Sequence, residues 1–318
     1  MTRIAVLDDY QNVALSMADW SALQSQHQIK VFNAHLGTDE AAIAAALVDF
    51  EVIAVMRERT PFPASLLARL PKLKLLVTTG HYNAAIDMPA CKARGVTVCG
   101  AGGSGQATSE LAFGLLLALA RSIPAEAHNL RAGVPWQTTV GTDIKGKTLG
   151  IIGLGRLGGH MARFGKAFGM TVVAWSQNLT AETASESGAE LVAKDDLLRR
   201  SDFISIHTRL SDRTLGLIGA RELGLMKPTA YLINTSRGPI VDEQAMLATL
   251  GEGRIAGVGL DTYDIEPLPL DHPLRREPRA LLTPHLGYVT LDTYRSFYAG
   301  TVAAIEGWLA DKPVNLVT

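Results

Sequence analysis

Apolar, β-branched runs of about four to seven residues recur along the chain: Ile4–Leu7, Val52–Val55, Leu73–Thr78, Val96–Cys99, Leu149–Gly153, Thr171–Trp175, Phe203–Ile206, Ala230–Asn234, Ile255–Leu260 and Ala280–Thr283. Strands that alternate with helical stretches predict parallel sheets covered on both faces. Ten strands exceed one comfortable open sheet, so two sheets and two domains are expected. The glycine-rich Gly100–Gly105 segment marks the break, followed by a helix over Ala107–Ala120 and a Gly/Pro/Trp connection over Arg131–Thr142. At the far end, Phe297, Val302, Ile305, Trp308 and Leu309 recur at helical spacing within Thr290–Lys312, with no strand expected after them. A lone terminal helix is expected to pack back on the first domain and make it discontinuous. The predicted fold is α/β with two doubly wound parallel-sheet domains: residues 1–100 with 289–318, and an inserted domain over 101–288.

Composition narrows the class. The 318 residues are 47% hydrophobic and 19% charged, with 30 Lys+Arg against 31 Asp+Glu, which argues against disorder and against nucleic acid as the main partner. The longest apolar run, Leu111–Ala120, is about half the roughly 20 residues a bilayer demands, so a buried helix is expected and no membrane span. The N-terminus enters a strand pattern directly, without a basic and then apolar leader, which predicts a cytoplasmic enzyme. Cys91 and Cys99 are the two cysteines, and a disulfide is not expected in a chain of this size. No His/Cys cluster has metal-ligand spacing and no G-x-S-x-G elbow is present, so neither a metal site nor a serine hydrolase is expected.

Gly153-x-Gly155-x-x-Gly158 follows a strand and opens a helix, the context a dinucleotide-binding loop requires. Gly153 suits the tight turn, Gly155 a close approach of backbone to pyrophosphate, and Gly158 close packing of helix on strand. The helix start at Arg156 and Leu157 presents N–H groups and a positive dipole end to phosphates. The next strand ends in Ser176 and Gln177, where a carboxylate would ordinarily accept hydrogen bonds from an NAD ribose. Without that carboxylate the electrostatic exclusion of a 2′-phosphate is missing, so the cofactor is expected to be NAD or NADP. Arg209, in His207-Thr208-Arg209 at the end of what is expected to be a neighbouring strand, is a basic candidate for a 2′-phosphate, with a solvated loop residue as the ordinary alternative.

Ligands of doubly wound folds bind beyond the carboxyl ends of the strands. Three such ends carry Arg237 (Thr235-Ser236-Arg237-Gly238), Glu266 (Asp261 to Pro267) and His285 (Pro284-His285-Leu286-Gly287). If these strands are adjacent, the trio suits reduction of a 2-oxo acid. Arg237 offers a planar fork for a carboxylate and its neighbouring carbonyl oxygen. His285 can donate a proton to the developing alkoxide, and a neighbouring Glu266 would favour the imidazolium and orient the ring. His207 and His272 are weaker candidates, the first without a carboxylate nearby in sequence and the second in a charged, Pro-rich loop.

These motifs, with Leu75–Asp87 (including Asn83-x-x-Ile86-Asp87), Ile233–Asp242, Gly259–Pro267 and Thr283–Thr290, resemble the D-isomer-specific 2-hydroxyacid dehydrogenase family over nearly the whole chain. The resemblance implies a Rossmann-type cofactor domain over 101–288 inserted in a flavodoxin-like substrate domain, and a homodimer. It implies Arg237, Glu266 and His285 as the catalytic set and Asp261 as the partner of the nicotinamide carboxamide. His207, Thr208, Arg209, Thr235 and Gly287 are grouped with the glycine loop as cofactor contacts. Gly80, His81, Arg57 and Tyr288, with Arg237 and His285, are grouped as contacts of a small 2-oxo or 2-hydroxy acid. Arg57 could equally form a surface pair with Glu58, and Tyr82 and Tyr288 could be packing. Ser176, the His81-Tyr82 pair and Gly287-Tyr288 depart from the family pattern. The competing reading is a nicotinamide-sensing scaffold of the corepressor kind, which an intact Arg/Glu/His trio and short tails disfavour.

Overall fold

A computed structural model describes residues 1–103 and 105–317. The chain divides into two units, Met1–Ser104 with Thr290–Thr318, and Gly105–Val289. The first unit contains β1 (Arg3–Val6), β2 (Gln28–Val31), β3 (Val52–Val55), β4 (Leu75–Thr79) and β5 (Thr97–Ala101), all parallel in the order β2-β1-β3-β4-β5. This is the flavodoxin-like order. Strands β3 and β4 are buried at every residue, as strands covered on both faces must be, and so they read as continuous apolar runs. β2, QIKV, alternates exposed and half-buried positions at the sheet edge, and its two apolar residues form no run that pattern reading detects.

Phe50, Ile53, Phe62, Leu66, Leu67 and Leu76 pack into the core of this unit. The Leu291–Leu309 helix lies on β4 and β5, burying Tyr294, Phe297, Tyr298, Val302 and Ile305. Tyr294 and Tyr298 thus join the expected stripe, while Trp308 and Leu309 are only half-buried. Among the described residues no strand follows this helix, as expected, but the tail still bonds to β5. Leu316 forms an antiparallel bridge with Cys99, the Gly100 amide donates to Asn315 O at 2.8 Å, and the Val317 amide donates to Val98 O at 2.9 Å. The tail therefore covers the open edge of β5.

The second unit contains β6 (Thr148–Ile152), β7 (Thr171–Trp175), β8 (Glu190–Leu191), β9 (Phe203–Ile206), β10 (Tyr231–Asn234), β11 (Gly257–Leu260) and β12 (Ala280–Leu282), parallel in the order β12-β11-β10-β9-β6-β7-β8. The order reverses between β6 and β9, the switch point at which a Rossmann sheet takes its ligand. β8 has two residues, too few for any periodicity. The Ala107–Ala120 helix buries Ala112, Phe113, Leu115 and Leu116 against β10, β11 and the Arg156–Ala167 helix. A Cβ at Gly259 would lie 3.1 Å from Leu119 Cδ1 and 3.3 Å from Leu115 Cβ, so the missing side chain is what lets this helix approach the sheet. Among the described residues no helix is long and apolar enough to cross a membrane.

Candidate active site

The glycine loop sits at the switch point. The Gly153 amide donates to Trp175 O at 2.9 Å and the His207 amide to Ile152 O at 2.7 Å, so the loop is held by the strand ends on both sides. Gly153 has φ +97, and a Cβ there would come within 2.7 Å of the His207–Thr208 peptide. A Cβ at Gly158 would overlap the Gly153 carbonyl oxygen, which is the close helix–strand contact the motif requires. At Gly155 a Cβ would meet nothing within 4 Å, so the backbone faces open space just before the Arg156–Ala167 helix. Arg156 is exposed, and its guanidinium lies against Gly105, where a Cβ would overlap it.

Two buried polar atoms near this loop have no hydrogen-bond partner, His207 Nδ1 and Thr235 Oγ1. They follow β9 and β10, adjacent strands beside the switch point. Burial pushes the His207 imidazole down to about 4, and its Nε2 is 2.8 Å from Ser205 Oγ. Open space before a helix N-terminus, a glycine that leaves the backbone bare, and orphaned polar atoms at the switch point fit a dinucleotide. Ser176 Oγ accepts from the Leu154 amide at 3.0 Å, so this serine braces the glycine loop. Gln177 and Arg209 are exposed and Thr208 is half-buried. The sheet order corrects one expectation: β6 separates β9 from β7, so the Arg209 and Ser176 strands are two spacings, roughly 10 Å, apart.

β10, β11 and β12 are consecutive neighbours, and Asn234, Leu260 and Leu282 stand in one row across them. Arg237, Glu266 and His285 therefore leave the sheet side by side. Asn234, 1% exposed, donates from Nδ2 to Arg237 O at 2.8 Å and accepts from the Ser236 amide at 3.0 Å, which shapes the turn carrying the arginine. Arg237 Nη1 donates to Ser236 O at 2.7 Å. A Cβ at Gly238 would run into the Tyr263–Asp264 backbone, so glycine brings this turn against the loop of Glu266.

Glu266 Oε1 accepts from the Tyr263 amide at 3.0 Å, and Oε2 lies 2.6 Å from His285 Nδ1. His285 has φ +53, a conformation that side-chain-bearing residues rarely adopt and that surrounding bonds must enforce. The enforcer is Asp261, fully buried, whose Oδ1 accepts from Thr283 Oγ1 at 2.6 Å and the Leu286 amide at 2.7 Å, and whose Oδ2 accepts from the Gly287 amide at 2.8 Å. Burial raises the Asp261 carboxyl above the usual carboxylate range. Thr108 Oγ1 donates to Gly287 O at 2.9 Å, and a Cβ at Gly287 would sit 3.0 Å from Thr108 Cγ2. Tyr288 stands edge-on to the His285 ring, with centroids 5.6 Å apart. His272 also has a carboxylate partner, Glu243 at 3.0 Å, but its Nδ1 accepts from the Leu274 amide, so both ring nitrogens are committed to the fold.

In the first unit, Arg57 follows β3 and its guanidinium lies against Gly80, where a Cβ would overlap Nη1. Arg57 Nη2 is 3.6 Å from Glu58 Oε1, and His81 and Tyr82 are exposed. Asn83 and Thr283 fall within motifs quoted from the sequence, but neither they nor Thr79 and Thr108 carry an individual role there. Their roles are hydrogen bonds to partners brought near by folding, across 179 residues for Thr108 and Gly287, and no local spacing announces them. Among the described residues no group of three or more His, Cys, Asp or Glu could hold a metal ion.

The family described as "D-isomer specific 2-hydroxyacid dehydrogenase, NAD binding domain" matches residues 113–287. The chain is 40% identical over 237 residues to glyoxylate reductase of Aeropyrum pernix, covering 72% of this chain and 71% of that protein. Its fold is similar to that of phosphoglycerate oxidoreductase from Vibrio cholerae O395, with TM-score 0.93, 36% identity and coverage of 98% and 100% of the two chains. It is also similar to D-lactate dehydrogenase from Aquifex aeolicus complexed with NAD and lactic acid, with TM-score 0.79, 25% identity and coverage of 97% and 96%. The protein is a nicotinamide-dependent oxidoreductase. It belongs to the D-isomer-specific 2-hydroxyacid dehydrogenase family.

Proposed function

We propose that this enzyme reduces a small 2-oxo acid to its D-2-hydroxy acid, with His285 as proton donor, Arg237 as ligand of the substrate carboxylate and carbonyl, and Glu266 as the group that orients the imidazole. The observation that carries the reading is the 2.6 Å contact between Glu266 Oε2 and His285 Nδ1. With Nδ1 facing the carboxylate, Nε2 is the ring nitrogen that exchanges a proton with substrate oxygen. The imidazolium and the Arg237 fork both strengthen as negative charge grows on that oxygen, so they act on the transition state. The bound nicotinamide supplies the hydride. The Gly153–Gly158 loop and the first turn at Arg156 and Leu157 would hold its pyrophosphate, with His207, Thr208, Thr235, Asp261 and Gly287 along the same row of strand ends. Arg57, Gly80, His81 and Tyr288 serve as substrate contacts.

For the cofactor we propose acceptance of NADP(H) as well as NAD(H). Ser176 Oγ already accepts from the Leu154 amide, so its hydroxyl hydrogen is available to a phosphate oxygen, and no carboxylate stands there to repel one. We further propose a homodimer. The Ala107–Ala120 helix spends much of its apolar surface within its own unit, so the contact falls to the segment after it, where Trp136 is 71% and Val140 99% exposed. Light scattering at micromolar concentration is expected to give twice the 34.0 kDa chain mass, and a monomer would remove the idea.

The test of activity is loss of reduced-nicotinamide absorbance, with NADH and NADPH separately, against glyoxylate, hydroxypyruvate, pyruvate, phenylpyruvate and a branched 2-oxo acid. Turnover of at least one is expected. Tight cofactor binding with no turnover of any would favour a sensor instead.

A further inference from the structure

Arg57 has φ +51, a left-handed backbone conformation that L side chains rarely adopt. Left to itself the residue would relax to an ordinary conformation and swing its guanidinium elsewhere. Two side chains hold it. The Arg57 amide donates to Thr79 Oγ1 at 2.8 Å, and the Arg57 carbonyl accepts from Asn83 Nδ2 at 2.7 Å. Asn83 is 3% exposed, and its Nδ2 also donates to Thr78 Oγ1 at 3.0 Å while Oδ1 accepts from the Ala85 amide at 2.9 Å. An amide whose donors and acceptor are all engaged has one orientation only.

The held conformation has a consequence three residues before Asn83. Gly80 has φ +88 and lies directly under the Arg57 guanidinium, whose Nη1 also donates to Thr79 O at 3.2 Å. From the other side, a Cβ at Gly100 would sit 2.8 Å from Gly80 O. The Gly80 peptide is thus enclosed by Arg57 and β5, and Asn83 ties the loop that carries it to the arginine that covers it. The Gly80 amide itself donates to Ala101 O, which leaves the His81 amide as the donor of this turn. We propose that Asn83 is a positioning residue for substrate binding, fixing the Arg57 guanidinium over the Gly80–His81 turn so that the cation and the His81 N–H meet one carboxylate together. The inference rests on the proposed substrate role of Arg57 and the Gly80–His81 turn. If the tether is lost, Glu58 Oε1, 3.6 Å from Nη2, offers the arginine a competing partner.

Asn83→Asp tests this. The variant keeps the shape and the acceptor for the Ala85 amide but replaces the donor to the Arg57 carbonyl with an acceptor. With hydroxypyruvate and with glyoxylate, KM is expected to rise about tenfold, the scale of one lost buried hydrogen bond, with kcat within about twofold of wild type. The Kd of the reduced cofactor, read by its fluorescence, should not move. In an Arg57→Ala background the same change should leave KM where Arg57→Ala alone puts it. Thr79→Val, which removes the other tether, should reproduce the KM rise and provides the measurement if Asn83→Asp does not fold. A lowered Tm with unchanged KM, or an equal KM rise without Arg57, would overturn the proposal. A wild-type KM in Arg57→Ala alone would instead bring down the substrate role of Arg57, and the positioning role with it.

Discussion

Glu266 Oε2 and His285 Nδ1 are 2.6 Å apart although 19 residues separate them in sequence, and the Tyr263 amide holds the other carboxylate oxygen at 3.0 Å. The carboxylate is thereby fixed before it fixes the histidine. His285→Ala is expected to lower kcat by about 10²–10⁴ while the Kd of reduced cofactor stays within about twofold, and Glu266→Gln to lower kcat less. Steady-state kinetics with fluorescence titration checks both. Near-normal turnover in His285→Ala would sink the proton-donor assignment.

Arg237→Lys is expected to raise KM and lower kcat together. A point charge cannot take the place of a fork that binds the carboxylate and polarises the carbonyl in one plane. A KM change alone would mean that Arg237 contributes binding equally to substrate and transition state.

Gly158→Ala would push a Cβ into the Gly153 carbonyl, on a loop that cannot yield because Gly153 is itself packed on the His207–Thr208 peptide. Overpacking of this kind costs about 1–3 kcal/mol. Thermal unfolding should show Tm several degrees lower, and NADH should restore less of it than in wild type. An unchanged Tm would show that the helix can shift away from the loop at little cost.

Cofactor choice separates two residues. Ser176→Asp is expected to shift the NADPH/NADH ratio of kcat/KM at least tenfold toward NADH, because a carboxylate accepts from ribose hydroxyls and repels a 2′-phosphate. Arg209→Ala should leave the ratio within about twofold, since β6 lies between the two strands concerned. A loss of NADPH preference in Arg209→Ala would restore the arginine as the phosphate ligand.

His207 makes stability depend on pH. Its folded-state pKa is pushed down to about 4 by burial, against an ordinary 6.5, so between these values the unfolded chain holds a proton that the folded chain lacks. The stabilisation is complete above about pH 6.5 and is lost as pH falls toward 4, by about 3 kcal/mol at most. The Tm gap between wild type and His207→Gln should therefore narrow between pH 7.5 and 4.5. A constant gap would mean that His207 does not titrate in that window.

Much of the architecture is legible in the chain itself. Central strands such as Val52–Val55 and Phe203–Ile206 are buried on both faces, so burial writes itself into the sequence as unbroken apolar runs. The glycine loop is legible for a related reason, since backbone that must turn or pack without a Cβ admits one residue type. The edge strands β2 and β8 are not, because an edge places few demands on its side chains. Arg237, Glu266 and His285 could each be named as polar residues after a strand. That they stand side by side was decided by the order β10-β11-β12, a property of the folded sheet. The same is true of Asp261 holding the His285 turn and of Asn83 holding Arg57. A hydrogen bond between residues far apart in sequence leaves no periodicity, and only the tertiary structure brings donor and acceptor together.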